Sequence, residues 1–457
     1  MIRRLSILFS LLLPLASGAA AEKPNIVLIL ADDLSYHDLG CYGNDEVETP
    51  HIDALRDEGL KFTNAFTATA MCSPTRQQLY TGVFPVRNGA YPNHNNVKPG
   101  TRGVAHHLGE LGYRTALHGK WHIGPDESFP FERIEEFSGM EEFIGREDDE
   151  PYLLVFASKN PHTPWPEPDS DDDLDLTVPP FLVDTPKTRR ALAGYYELIR
   201  RLDREVGEVL EMVERSGKED DTLVIFTSEQ GSAFPGAKWT CYDQGLRTAM
   251  IARWPGMIEP GTESDAMIRY VDVTPTFVEL AGGDSRAIDT GVEGAPGGGT
   301  GFDGVEFADI LRGDSDGSDR EVEYTYGVHT TRGIIAGKAY PVRSVSDGRY
   351  HLILNLMPEK VFQNIVTERE ERHPYWPDWV EKAEEDPLAA KLVQRYRRRS
   401  AVQFFDLAGD PFEMKNLADE PGHRDRIAIL RAELERWMAQ QGDQGVATEL
   451  AEPELGK

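Results

Sequence analysis

Three short apolar runs, each ending in polar or charged side chains, constrain this fold more than any other feature. Asn25-Ile26-Val27-Leu28-Ile29-Leu30 is bounded by Pro24 and by the carboxylate pair Asp32-Asp33. Pro151-Tyr152-Leu153-Leu154-Val155-Phe156-Ala157 leads into Asn160-Pro161-His162, and Thr222-Leu223-Val224-Ile225-Phe226-Thr227 into Glu229-Gln230-Gly231. Runs of this length without polar alternation predict strands buried on both faces of a mostly parallel sheet. Ligands of such sheets bind beyond the carboxyl ends of the strands, so the three polar ends are expected to meet at one site. Between the last two runs, Leu192, Tyr195, Ile199, Leu202, Val206, Val209 and Val213 recur at steps of three and four. That spacing predicts an amphipathic helix over Thr188 to Ser216, covering the sheet.

Composition narrows the class. With 48 Lys+Arg against 78 Asp+Glu the formal charge is −30, which excludes a protein that binds nucleic acid by neutralising phosphates. The excess acid suits solubility in salty surroundings, where screening shortens repulsion to about 8 Å or less. A chain of 457 residues that is 40% hydrophobic has material for a sizeable core, and three cysteines exclude a disulfide scaffold. Arg3 and Arg4, the apolar run Leu5 to Leu15 and the small residues to Ala21 read as a secretory signal peptide over residues 1–21, and imply export to the periplasm or outside the cell. No other stretch is long and apolar enough to cross a bilayer, so no stable membrane insertion is expected.

Residues 22–335 are expected to form the large domain and 336–457 a smaller C-terminal α+β unit. Gly282 to Gly304, rich in glycine, reads as a surface loop, and Val342 to Leu356, with Asp347-Gly348 at its centre, as a hairpin. Gln363 to Ser400 shows no dominating apolar stripe and reads as helical surface. Its tract Arg395-Tyr396-Arg397-Arg398-Arg399 is either plain surface or a contact for an anionic ligand.

Several residues carry possible chemistry. Cys72-Ser73-Pro74-Thr75-Arg76 places a cysteine in a polar turn; it is either a thiol poised by a nearby guanidinium or a structural cysteine, free or paired with Cys41 or Cys241. Asp32-Asp33 either caps a helix or, with Glu229-Gln230, forms an oxygen-only cation site that favours Ca²⁺ over Mg²⁺. Lys120 and His122 project to one side if Leu117 to His122 is extended. Asn93, His94, His329 and Arg332 lie in loops that either rim the site or are simply solvated.

The segment Cys72-x-Pro74-x-Arg76 resembles that of the type I sulfatases, within the alkaline-phosphatase-like superfamily. The resemblance extends over Pro24-Asn25-Ile26, Asp32-Asp33, Thr49-Pro50-His51-Ile52-Asp53, Gly119-Lys120-Trp121-His122-Ile123-Gly124, Asp406-Leu407 and Asp410-Pro411. Phe234-Pro235 and Lys238, eight residues after Gln230, are similar to the subgroup of heparan N-sulfoglucosamine sulfohydrolases and bacterial polysaccharide sulfatases. The resemblance implies a large mixed, mostly parallel sheet flanked by helices. It implies oxidation of Cys72 to Cα-formylglycine by a maturation enzyme, and Ca²⁺ held by Asp32, Asp33, Glu229, Gln230 and the oxygen of modified Cys72. Arg76 would hold the formylglycine hydroxyls, Lys120 and Lys238 the sulfate, with His162 protonating the leaving alcohol and also contacting sulfate, and His122 deprotonating the second diol hydroxyl. Where the family usually has Asp followed by Asn or His, this chain has Glu229-Gln230, each one methylene longer.

The expected activity is hydrolysis of O-sulfate or N-sulfate groups of a sulfated oligo- or polysaccharide. A phosphatase or phosphonate monoester hydrolase of the same superfamily and a non-catalytic binder of sulfated glycans are the competing readings.

Overall fold

A computed structural model of the chain describes residues 23–451 except 148–149, 169 and 171–173. The expected signal peptide lies outside the described residues.

The three apolar runs are adjacent strands at the centre of one sheet. β1 (Asn25–Ala31) pairs in parallel with β5 (Tyr152–Ala157) on one side and with β6 (Thr222–Ser228) on the other. Around them lie β2 (Leu60–Phe66), β3 (Arg114–Gly119), β4 (Glu132–Ile134), β7 (Arg247–Arg253), β8 (Thr262–Ser264) and β9 (Ile268–Arg269). The order is β4-β3-β5-β1-β6-β7-β2-β8, with β9 also on β2, and β7 alone opposes its neighbours. The mixed, mostly parallel sheet is as the sequence predicts.

The alternation of a strand explains why these runs are apolar throughout. Val27, Ile29 and Ala31 enter one core with Leu154, Phe156, Val224 and Phe226, while Ile26, Leu28 and Leu30 enter the opposite core with Leu153, Val155, Leu223 and Ile225. The first core is closed by the helix Pro186–Arg215, whose Thr185 caps the Thr188 N–H and whose Pro186 needs no hydrogen-bond acceptor at the first turn. All seven apolar positions that predict this helix are buried in it. The helices Val104–Glu110 and Val273–Leu280 cover the other face.

A second, antiparallel sheet runs β10 (Thr325–His329), β11 (Val342–Ser346), β12 (Tyr350–Asn355) and β13 (Val402–Asp406) in that order. β11 and β12 form the expected hairpin. The first strand of this sheet, Thr325–His329, lies on the N-terminal side of the 335/336 boundary read from sequence. Leu430, Leu434 and Trp437 of the helix Arg424–Gln440 share a core with Val328, Val345, Leu352 and Phe404 of the sheet.

The segment from Gln363 to Ser400 is more than helical surface. Tyr375, Trp376 and Trp379 in the helix Tyr375–Lys382, with Leu392 and Tyr396 in Pro387–Arg397, are buried in the first core, and Trp379 Nε1 donates to Thr188 Oγ1. The aromatic spacing is that of one helix face, and charged neighbours mask it in sequence.

Candidate active site

Backbone hydrogen bonds stitch the strand ends together. Glu229 N–H donates to Ala31 O, Asp32 N–H to Asn160 O and Lys120 N–H to Ala157 O, at 3.0, 2.9 and 2.8 Å. Gly119 ends β3 at φ +96°, and a Cβ there would lie 2.1 Å from Ala157 O, so the turn that delivers Lys120 requires glycine. The extended run predicted from Leu117 to His122 therefore stops at Gly119, and His122 adopts φ +41°.

Cys72 opens the helix Cys72–Thr81, which is buried along its whole length. Its Sγ lies 3.9 Å from Asp32 Oδ1 and from Asp33 Oδ1, and 3.6 Å from Gln230 Nε2. Burial and Glu229 act to raise the thiol's pKa, but Lys120 and Lys238 prevail and hold it below its ordinary value. Arg76 stands one turn along the same helix, fully buried, with Nε on Glu229 Oε2 at 2.6 Å and Nη1 on the Lys120 carbonyl at 3.0 Å.

Carboxylates and cations interleave here. Lys120 Nζ meets Asp32 Oδ2 at 2.5 Å and Glu229 Oε1 at 3.3 Å, and Lys238 Nζ meets Asp33 Oδ2 at 2.6 Å. Burial and the adjacent Glu229 push Asp32 well above the usual carboxylate range. Burial has the same tendency at Asp33 and Glu229, but Lys238 and His162 overcome it at the first, and Arg76 and Lys120 at the second, so both fall below their ordinary values.

Ligand atoms of Asp32, Asp33, Cys72 and His162 all lie within 4.8 Å of one another. Glu229 spans the cluster: Oε2 accepts from Arg76 Nε, while Oε1 faces Lys120 Nζ at 3.3 Å and Gln230 Nε2 at 3.0 Å. Gln230 Nε2 donates to Asp33 Oδ1 at 2.6 Å, and its Oε1 is buried without a partner among the described residues. Three buried carboxylates and an orphaned amide oxygen fit a hard divalent cation.

The two histidines have opposite environments. His162 Nδ1 donates to the Thr163 carbonyl at 2.6 Å, leaving Nε2 3.6 Å from Asp33 Oδ2. Burial opposes its charged form, but Asp33 outweighs burial and raises the pKa to about 9. His122 is lowered to about 4 by burial and by Lys120.

His122 belongs to a relay that also includes two of the four loop residues. Ser73 N–H donates to Asn93 Oδ1 at 3.4 Å, which turns the Asn93 amide nitrogen toward His94 Nε2 at 3.1 Å. His94 Nε2 thus accepts, and Nδ1 donates to His122 Nε2 at 2.7 Å. In the neutral ring this places the His122 lone pair on Nε2 and the proton on Nδ1.

Of the other two, His329 lies elsewhere, and Arg332 borders the relay through its carbonyl, which accepts the Asn93 N–H at 3.1 Å. His329 is the last residue of β10, fully buried with its ring edge-on to Phe362, and the Arg332 guanidinium holds Tyr91 Oη and the Thr448 carbonyl. Both positions follow from the pairing of β10 with β11, a long-range contact without a local signal. Cys41 and Cys241 are unpaired, so neither alternative disulfide forms.

One site neighbour escapes sequence reading. His373, buried ahead of the helix Tyr375–Lys382, sits edge-on to Trp239 and is lowered to about 4 by burial and by Lys238. The aromatic spacing of Tyr375, Trp376 and Trp379 is the signal that locates its segment.

Comparison with known proteins agrees with this geometry. The family model described as Sulfatase matches residues 24–140 and 135–283. An ulvan-active sulfatase of Formosa agariphila is 33% identical over 93% of this chain and 82% of its own length. Human N-sulphoglucosamine sulphohydrolase is 29% identical over 94% and 93%. A solved structure of a protein in complex with its substrate D-glucosamine-2-N,6-O-disulfate shares the fold, with a TM-score of 0.68 at 17% identity, covering 94% of this chain and 100% of that one. The chain belongs to the sulfatase family and is a sulfuric ester hydrolase.

Proposed function

We propose that this sulfatase releases sulfate from a sulfated saccharide, O-sulfate esters first and N-sulfate as a second case, after Cys72 has been converted to Cα-formylglycine. One observation carries the reading: Cys72 stands at the start of a buried helix, against Asp32 and Asp33, with Lys120 and Lys238 on those same carboxylates. Relatives named for ulvan and for N-sulphoglucosamine support a saccharide substrate. The basic and apolar stretch within residues 1–21 supports export to the periplasm or beyond, where the maturation enzyme's product would act.

Formylglycine supplies a hydrated aldehyde, one hydroxyl serving as nucleophile and the other allowing sulfate to leave without a stable sulfated serine. Asp32, Asp33, Glu229, the Gln230 amide oxygen and the oxygen of residue 72 would hold Ca²⁺, which supplies positive charge beside the sulfuryl oxygens and the attacking hydroxyl. The chain's own groups do the rest. Lys120 and Lys238 hold the sulfuryl oxygens, and Arg76, pinned to Glu229 and the Lys120 carbonyl, fixes the wall beside residue 72 and holds its hydroxyls.

His162 and His122 divide the proton work. At neutral pH His162, with a value of about 9, carries the proton for the leaving oxygen, while His122, at about 4, is neutral and serves as the base.

Mass spectrometry of the Cys72 peptide, with sulfate and phosphate release from paired aryl substrates and defined sulfated saccharides, tests the reading. Formylglycine at 72 and sulfate release are expected. An unmodified cysteine in active protein, or faster phosphate release, defeats it.

A further inference from the structure

The arginine tract 395–399 takes no part in the chemistry above. It closes the helix Pro387–Arg397 and leads into β13. The fold gathers Arg395, Arg398 and Arg399 with Lys391 and with Lys415, beyond β13, around a cavity of about 350 Å³. Its lining contains one carboxylate, Glu413, which is already engaged: Oε1 pairs with His351 Nδ1 at 2.6 Å and Oε2 accepts the Asp243 N–H at 2.7 Å. Among the described residues none of the five cations makes an ion pair. Acid is not scarce in a chain of charge −30, and other surface bases such as Lys187 and Arg215 are paired. Five cations without an ion pair concentrate positive charge around one cavity, with Arg395 Nη2 on the Phe412 carbonyl at 3.1 Å.

Arg399 adds an independent observation. It is 5% exposed, with its guanidinium 4.0 Å from the centre of the Phe362 ring and flanked by Tyr396, Tyr242 and Tyr340. Aromatic rings satisfy the faces of a guanidinium and leave its N–H edges unmet. Arg399 Nε and Nη2, which form one edge, are buried without a hydrogen-bond partner among the described residues. Arg343 shows what that edge takes, since its Nε and Nη2 hold the two oxygens of Asp443. In Arg399 that edge is shut off from solvent, so Arg399 places positive charge behind the cavity wall and leaves Lys391, Arg395, Arg398 and Lys415 as the donors that an oxyanion can reach.

We propose that this cavity binds an oxyanion, a sulfate or carboxylate group, outside the catalytic centre. Arg395 links it to the loop carrying Lys238, with Nη1 3.8 Å from where a Cβ on Gly236 would stand. The oxyanion is either free in solution or part of the saccharide. The second source rests on the proposed substrate, whereas the anion site itself does not.

Lys391 and Arg398 are exposed, so the double variant K391E/R398E retains the fold and leaves Arg399 in place. Calorimetric titration of the full chain with sodium sulfate should show a site beyond the catalytic one, weakened about tenfold or more in the double variant. An unchanged KM for a sulfated oligosaccharide then assigns the site to free anion. A KM raised about tenfold, with kcat/KM for a small aryl sulfate unchanged, assigns it to a group on the saccharide. Identical sulfate titrations and identical KM values for the two proteins overturn the proposal. If no substrate releases sulfate, the saccharide reading fails separately, and the titration still tests the cavity.

Discussion

Two buried ion-pair centres in this molecule are built on opposite terms. In the smaller unit Arg343 and Asp443 have fully buried side chains, joined by two hydrogen bonds, and Arg343 Nη1 also donates to the Val342 and His329 carbonyls. Every guanidinium nitrogen is met by the protein itself. In the active site Arg76 and Glu229 are equally buried, yet three carboxylates and three cations share partners. Arg76 Nη2, Gln230 Oε1 and His122 Nδ1 there have no partner among the described residues. Burial makes both centres electrostatically strong, but only the second keeps donors and acceptors aimed at groups from outside the chain.

The contrast can be broken experimentally, most forcefully at Cys72. Cys72→Ala should cut sulfate release by about 10³-fold or more with little change in Tm, because the residue is placed for chemistry; activity near wild type would remove the site's central assignment. Arg343→Met should do the reverse, costing about 3–5 kcal/mol of stability by stranding Asp443, while R343M/D443L recovers most of that loss in denaturant titrations. A double variant no more stable than R343M would show that the pair is not a closed unit.

Chelation separates the centres at the next scale. Removing Ca²⁺ should lower activity and, if the ion binds at 100 times its Kd, withdraw about 2.7 kcal/mol of stability, an effect that R343M/D443L leaves intact. A Tm indifferent to calcium would count against an ion at Asp32 and Asp33.

The smallest effect is expected at His94. His94→Ala should lower kcat about tenfold by freeing the His122 ring. His122 falls from an ordinary 6.5 to about 4 and acts as the neutral base, so the acid limb of kcat/KM that it sets should appear near pH 4. Without His94, whose Nδ1 donates to His122 Nε2, the limb should move up, with burial and Lys120 still holding it below 6.5. An unmoved limb would reduce the relay to packing. Stability has the same sign at His107, lowered to about 4 by burial and Arg102: the contribution is full above pH 6.5 and is lost as pH falls through about 4.

Much of this was legible in the chain, and the exceptions have physical causes. The central strands and the helix Pro186–Arg215 follow from periodicity, because burial on one or two faces leaves a repeat that sequence displays. The segment around Tyr375 and Trp379 was obscured because its charged residues face solvent beside a narrow buried face. Cys72, Lys120, His122, His162 and Lys238 were visible as motif residues. The partners they meet were not, since Glu229 reaches Arg76 over 153 positions and His94 reaches His122 across two loops.

The sequence by itself determined which segments become strands, that three of them end in chemistry-bearing side chains, and that the net charge excludes binding nucleic acid by neutralising its phosphates. Tertiary structure alone decided that Glu229 turns to Arg76, that His329 lies in a core, and that His162 and His122 hold pKa values about five units apart. Local pattern records which faces are buried. Charge state depends on what packs within a few ångströms, and in a low-dielectric interior those neighbours come from residues far apart in the chain.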